Sequence, residues 1–324
     1  MEKTVINSTS NHKMKEVVRL LSKAKERREQ GVFVGEGLRM FLETPPARLV
    51  KVYVSESFYA SEKNRKLLEN RGADFELVSD RVFQSVSDTV TPQGILFLSR
   101  IRSITEEQLF ARRRREQQGA AKTFTYLLLD GIQDPGNLGT MVRTAEGAGV
   151  TAIICSRETV DLYNPKVIRS TMGSVYRVPC LVTDDLKAAI QRMKAEGIRV
   201  YAAEGEEQES RPEKELPEHA GQPEESQPER AGQAEEQPMP ENRAEEEKQP
   251  VGKKKRILVY DEADFTKDAA ILIGNEGNGI APELAEAADF GISIPMEGRL
   301  ESLNASMAAG ILMYEAARQK RRGK

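Results

Sequence analysis

FTYLLLDGIQDPGNLGTMVRTAEGAGVTAIICS, residues 124–156, reads as strand, loop, helix and strand. The apolar run that opens it is nearly continuous, as expected of a parallel strand buried on both faces. A helix is predicted from Leu138 to Gly147, and TAIICS (151–156) is a second buried strand. The alternation continues through VIRSTMGSV, a strand at RVPCLV, a helix at DDLKAAIQRMKAEG and a strand at IRVYAA (198–203). After an interruption it resumes with ILVYDEADF and AILIGNEGNGI. Strand and helix in regular succession place the module in the α/β class.

Upstream lies a smaller α/β module. Residues 11–30 read as one basic amphipathic helix, with Val17, Val18, Leu20, Leu21 and Ala24 apolar among Lys and Arg and with Ser10 or Asn11 as cap. VFVGEG (32–37) reads as a strand entering a glycine turn, followed by helix around Leu38–Leu42; LVKVYVS (49–55), FELVS (75–79) and GILFLS (94–99) are further strands. The expected organisation is therefore a first domain at 1–105, a basic linker at 106–123 containing ARRRREQQ (111–118), and a second domain at 124–324.

The second domain is interrupted at 204–255, which is rich in Glu, Gln and Pro and ends in the basic run KKKR (253–256). Such a composition buries too little apolar surface to offset ordering entropy, so it is read as a disordered insertion. It also hides the charge of the rest. Residues 204–250 hold 16 acidic against 5 basic side chains, whereas the remaining chain has 43 basic against 35 acidic ones. The formal net charge of −3 thus conceals a positive body, which suits a polyanionic partner.

The N-terminus, MEKTVINSTSNHKMKEVV, has no apolar signal core, and no apolar run approaches membrane-spanning length. Cys155 and Cys180 lack metal-ligand spacing and sit in apolar surroundings, so no metal site is expected and both are read as buried thiols. The expectation is a soluble, cytoplasmic protein with no membrane contact.

Three loops carry the chemistry. In DGIQDPGNLGTMVRTAEGAG (130–149), Asp134-Pro135-Gly136 makes a turn, Asn137 is a candidate helix cap, Gly139 permits a close approach, and Arg143 lies within the helix. In IGNEGNGI (273–280) the glycines at 274, 277 and 279 fit neither the dinucleotide fingerprint nor a phosphate-binding P-loop. By themselves they describe an ordinary strand-to-helix turn. Glu276 disfavours a phosphate there and suits an amino group, a hydroxyl or an arginine such as Arg143. In PMEGRLESLNASMAAGILMYEAARQ (295–319), Ser302, Asn304 and Ser306 crowd a helix start whose free N–H groups can hold a ligand. Leu303, Met307, Ile311 and Tyr314 are read as its buried stripe.

Together NLGTMVRTA (137–145), IGNEGNGI (273–280) and IPMEGRLESLNASMAAG (294–310) resemble, in order and spacing, the three motifs of the SpoU/TrmH family of RNA ribose 2′-O-methyltransferases in the SPOUT superfamily. NSTSNHKMKEVVRLL and FVGEGLRMFLE resemble that family's substrate-binding domain of the ribosomal-protein L30e-like type. The resemblance implies a C-terminal trefoil-knotted, parallel-sheet methyltransferase domain working as a homodimer, an N-terminal L30e-like α/β domain, and S-adenosylmethionine as methyl donor. It places cofactor contacts on Gly274, Ile294 and Leu303, largely through backbone groups, with Met296 and Gly279 lining the same pocket. It carries catalytic roles onto Asn137, Arg143, Glu276, Ser302, Asn304 and Ser306.

The reaction implied is in-line attack of a ribose 2′-hydroxyl on a sulfonium methyl, which requires orientation and help with the hydroxyl proton. The resemblance assigns hydroxyl activation to Arg143. A guanidinium stays protonated, so its expected part is to stabilise developing alkoxide charge and grip the adjacent phosphate, with Asn304 and Glu276 holding it. The first domain favours ribosomal RNA of the large subunit; transfer RNA, or a non-catalytic RNA-binding role on the same fold, are the alternatives. Ala305 and Met307 stand where the family pattern leads one to expect valine.

Overall fold

The structure, a computed structural model, describes residues 4–118, 122–205, 256–298, 300 and 302–323. The expected disordered insertion lies outside the described residues from 206 to 255.

The first domain contains β1 (Val5–Ile6), α1 (His12–Ser22), α2 (Ala24–Gln30), β2 (Val32–Glu36), α3 (Leu38–Glu43), β3 (Leu49–Ser55), α4 (Glu56–Ala60), α5 (Glu62–Asn70), β4 (Phe75–Val78), α6 (Asp80–Val86) and β5 (Ile95–Arg100). Its mixed sheet has the order β1-β4-β3-β5-β2, with β5 antiparallel to both neighbours. The single helix expected over 11–30 is two helices. Lys23 is extended, and its N–H closes α1 on the Arg19 carbonyl before α2 begins. Asn11 is the cap of α1, its side chain accepting from Lys13 N.

α7 (Glu106–Gln117) follows, opened by a reciprocal capping box between Thr105 and Gln108. Although four of its residues are arginines, α7 is anchored. Leu109 and Phe110 join the core of the second domain, and buried Arg113 grips buried Asp268 through Nε at 2.7 Å and Nη2 at 2.6 Å.

The second domain contains β6 (Thr125–Leu129), α8 (Pro135–Ala148), β7 (Ala152–Ser156), α9 (Pro165–Thr171), β8 (Cys180–Thr183), α10 (Leu186–Ala195), β9 (Arg199–Ala203), β10 (Ile257–Val259), β11 (Ala269–Ile273), α11 (Pro282–Ala287), β12 (Phe290–Ser293) and α12 (Ala305–Arg322). Its sheet is parallel throughout, in the order β10-β12-β9-β11-β6-β7-β8. β6 shows why its sequence reads as continuous: Leu127 and Leu129 enter one core, and Tyr126 and Leu128 the core on the opposite face. The loops leaving the adjacent strands β6 and β11 lie together at the sheet's carboxyl edge, where parallel α/β sheets bind ligands.

Two local expectations change. The strand expected at RVPCLV begins only at Cys180, because Arg177 N and Val178 N both donate to the Ser174 carbonyl and Pro179 has no N–H to pair. The stripe Leu303, Met307, Ile311 and Tyr314 is not core: Met307 is 59% and Tyr314 48% exposed, and the other two are half-buried. The buried face of α12 is instead Ala309, Leu312, Met313 and Ala316, with i, i+3, i+4, i+7 spacing. Apolar residues run along two faces of this helix. Only contact with α8 and β11 decides which face goes inward.

Candidate active site

Each of the three loops is built by local backbone chemistry. Asp134, not Asn137, caps α8: its Oδ1 accepts from Asn137 N at 2.8 Å, and Pro135 takes the first helical position. Gly136 is required because a Cβ there would press on that capping oxygen. The Asn137 side chain is thereby released from capping. Gly139 does permit a close approach, but by another helix: a Cβ would collide with Ser170 and the Val167 carbonyl of α9.

The second loop is a tight reversal. Asn275 and Gly279 exchange backbone hydrogen bonds at 2.9 and 3.0 Å. A Cβ on Gly274 would overlap the Gly279 backbone, and Gly279 takes φ +69°. Asn275 pins the loop: its Oδ1 accepts from Gly277 N and Asn278 N, and its Nδ2 donates to the Gly131 carbonyl at 2.6 Å. In the third loop Asn304 caps α12, its Oδ1 accepting from Ser306 N at 2.9 Å, Met307 N at 3.3 Å and Ser306 Oγ at 2.7 Å.

A directed chain of hydrogen bonds joins all three loops. Asn304 Nδ2 donates to Asn137 Oδ1 at 3.0 Å, and Asn137 Nδ2 donates to Glu276 Oε1 at 2.9 Å. Glu276 also accepts from Gln133 N at 3.0 Å and Asp134 N at 3.1 Å. Partial burial pushes this carboxyl up in pKa, but the Asn137 and backbone N–H donors outweigh it and hold it below the ordinary value. Glu276 is therefore an anion that orients amides, and a weak base.

Among the sequence-predicted residues, Asn137, Glu276, Asn304 and Ser306 are brought together. Ser306 is buried and its hydroxyl is committed to the cap; Ser302 is exposed. Arg143 is exposed on α8 and makes no hydrogen bond or ion pair among the described residues, so the expected hold on it by Asn304 and Glu276 is not formed within one chain. Gly274, Ile294, Met296 and Leu303 are half-buried beyond the ends of β11 and β12, and Gly279 is exposed there. His12 is exposed on α1, and His219 lies outside the described residues. Asn275 and Gln133 were not singled out from the sequence, and Asp134 was read only as a turn residue, not as the cap. Asp before Pro at a helix start, and Asn before a glycine-bearing turn, were the available signals.

A parallel α/β domain with glycine turns converging at its carboxyl edge, preceded by a mixed-sheet substrate-binding domain, is the architecture of the SPOUT methyltransferases. Residues 125–223 and 242–314 match the SpoU rRNA Methylase family, and residues 11–96 match the MRM3-like substrate binding domain. The chain belongs to the SpoU rRNA Methylase family. It is 29% identical over 309 residues to the 23S rRNA (guanosine(2553)-2'-O)-methyltransferase RlmP of Bacillus subtilis (strain 168), covering 95% of this chain and 97% of that protein. It is 25% identical over 267 residues to the 23S rRNA (guanosine-2'-O-)-methyltransferase RlmB of Xanthomonas campestris pv. campestris, covering 81% of this chain and 86% of that protein. Among solved structures, the AdoMet-bound rRNA methyltransferase from Sinorhizobium meliloti is similar at a TM-score of 0.67 and 25% identity, with 97% of each chain covered.

Proposed function

We propose that the chain is an S-adenosylmethionine-dependent methyltransferase acting on a ribose 2′-hydroxyl of RNA, with 23S rRNA as substrate. The observation that carries this reading is the Asn304–Asn137–Glu276 chain, which ties the three family motifs into one site at the sheet's carboxyl edge. The rRNA-modifying relatives and the substrate-binding domain at 11–96 support ribosomal over transfer RNA. The intact polar chain disfavours a non-catalytic role.

The residues fit the cofactor. A Cβ at Gly279 or Gly298 would stand in open space, leaving room for close backbone approach, and Ile294, Met296 and Leu303 offer half-buried apolar surface. Gly274, Ile294 and Leu303 would hold the cofactor, with Met296 and Gly279 beside them. When bound, S-adenosylmethionine supplies a sulfonium-activated methyl group.

The chain's own residues supply orientation and charge. Asn137 and Asn304 present amide groups fixed by Glu276 at one end and the α12 cap at the other, so little reorganisation is needed as charge develops on the 2′-oxygen. Glu276, already accepting three N–H donors, does not take the hydroxyl proton; as the O–C bond forms and the S–C bond breaks, the thioether would leave neutral and the proton would pass to solvent. Arg143 stabilises the incipient alkoxide and grips the adjacent phosphate, and Ser302 contacts the ribose. The exposed apolar residues Leu300, Met307 and Tyr314 support a homodimer in which α12 is covered by a second copy. The trefoil knot, the domain limits 1–105, 106–123 and 124–324, and a cytoplasmic site of action complete the reading.

The test is to map 2′-O-methyl positions by resistance to alkaline cleavage, in 23S rRNA and tRNA from cells with and without the gene. One 23S rRNA position should become cleavable on deletion and be restored by the wild-type gene but not by Arg143→Ala. If every position in both RNAs survives deletion, the enzyme reading fails.

A further inference from the structure

The two domains are not merely tethered by α7. A single apolar core runs from Phe33, Phe41 and Phe97 of the first domain into Leu129, Ile132 and Val167 of the second. Within that junction lies one charged group that a packed core would ordinarily exclude. Arg27, on α2, is 3% exposed. Its Nε and Nη2 both donate to Asp161 Oδ2 of the second domain, at 2.8 and 2.6 Å. Its Nη1 donates to the Leu20 and Leu21 carbonyls at the end of α1, at 2.5 and 3.0 Å. The break at Lys23 makes this possible, because α2 must turn away from α1 for its guanidinium to reach back.

Arg27 is buried and Asp161 half-buried, so desolvation offsets much of the Coulombic gain and the pair is a poor source of stability; the role inferred for it is the selection of one arrangement. The planar fork of arginine is suited to that task, since it fixes a helix end and a carboxylate in one plane. What Asp161 fixes in turn is the loop between β7 and α9. The Val160 N–H donates to the Ile132 carbonyl at 2.8 Å, and Gln133 Nε2 donates to the Glu158 carbonyl at 2.6 Å. Gln133 N is a donor to Glu276. From Arg27 to the carboxylate that orients Asn137 the path is continuous through hydrogen bonds and one short loop.

We propose that Arg27 and Asp161 are positioning residues for methyl transfer: the pair locks the RNA-binding domain to the loop that seats Gln133 and Glu276, so bound RNA is presented to the site in one fixed orientation rather than by hinge closure. This rests on the RNA methyltransferase reading above. It assigns no contact with RNA or cofactor to either residue.

The test compares the full-length wild type with Arg27→Ala, Asp161→Asn and Arg27→Lys, by single-turnover and steady-state methylation of a 23S rRNA transcript and by amide hydrogen exchange. For Arg27→Ala we expect kcat to fall tenfold or more with KM for S-adenosylmethionine within twofold. Exchange at Gln133 and Val160 should accelerate at least tenfold while the β6 and β11 amides stay protected. Arg27→Lys, which cannot serve both helix end and carboxylate, should fall between. The inference is overturned if Arg27→Ala keeps kcat within twofold of wild type, or loses it without faster exchange at Gln133. Should Arg27→Ala fail to fold, wild-type kcat and exchange in both Arg27→Lys and Asp161→Asn would overturn it equally. If the wild type methylates no RNA, the functional reading has failed, and the exchange comparison still decides whether the pair holds the loop.

Discussion

Glu276 accepts from two backbone N–H groups and from Asn137, which fixes both its charge and its task. A carboxyl held below its ordinary pKa contributes stability that is present above the unfolded value and lost as pH falls through the folded one. Glu276→Gln should therefore lower kcat about 10- to 100-fold at every pH between 6 and 9, without shifting the profile. Urea titrations should show its stability deficit at pH 7 shrinking toward pH 3. At Arg143 the requirement is different, because a guanidinium can grip a phosphate with two parallel donors and an ammonium cannot. Arg143→Lys should lose roughly 100-fold in kcat while S-adenosylmethionine affinity, read by calorimetry, is unchanged. Retention of most activity would remove the bidentate role assigned to it.

At the scale of elements, α12 carries a tension between its two ends. Its N-terminus is devoted to Asn304 and the site, whereas its last turn places Lys320 against the opposite end of the sheet, where Nζ donates to Thr125 Oγ1 at 2.5 Å. Burial there lowers the lysine to about 8, with Asp268 opposing the shift. The sign follows directly: between about pH 8 and the unfolded lysine value near 10.4, the unfolded chain binds the extra proton, so stability from this group rises with pH. Replacing Lys320 with Met removes that dependence. The gap in unfolding free energy between variant and wild type should change by on the order of 1–2 kcal/mol from pH 7 to pH 10, after discounting for residual exposure. Circular dichroism in urea at the two pH values measures it; parallel pH curves would contradict the assignment.

For the molecule as a whole, one exposed apolar face lies on α12, where Met307 and Tyr314 face outward while the helix packs on α8. In the proposed homodimer a second copy covers this face. Met307→Glu with Tyr314→Glu should convert a dimer to a monomer in sedimentation equilibrium and reduce methylation at least tenfold, leaving the far-UV spectrum unchanged. Two monomeric species of equal activity would count against the dimer as the working form.

Legibility differed with the range of the forces involved. The strands β6 and β11 were readable because burial on both faces leaves a local mark, an unbroken apolar run. Glycines and caps were partly readable for the same reason. Gly139 was marked as a close approach, but its partner α9 was not, and Asn137 was taken for a cap that Asp134 provides. The stripe on α12 misled because helical periodicity identifies apolar faces and does not rank them. The Arg27–Asp161 pair, 134 residues apart, left no local trace at all.

The sequence by itself determined the α/β class, the two modules and the three loops, because propensity, burial pattern and turn chemistry act over a few residues; the family was legible only through the resemblance of its three motifs to known ones. Tertiary structure alone decided that Asp134 frees Asn137, that Glu276 is an orienting anion, that α12 turns Met307 and Tyr314 outward, and that a buried arginine joins the domains. Each of these depends on which distant groups come within hydrogen-bonding or packing distance, and that is a property of the folded chain.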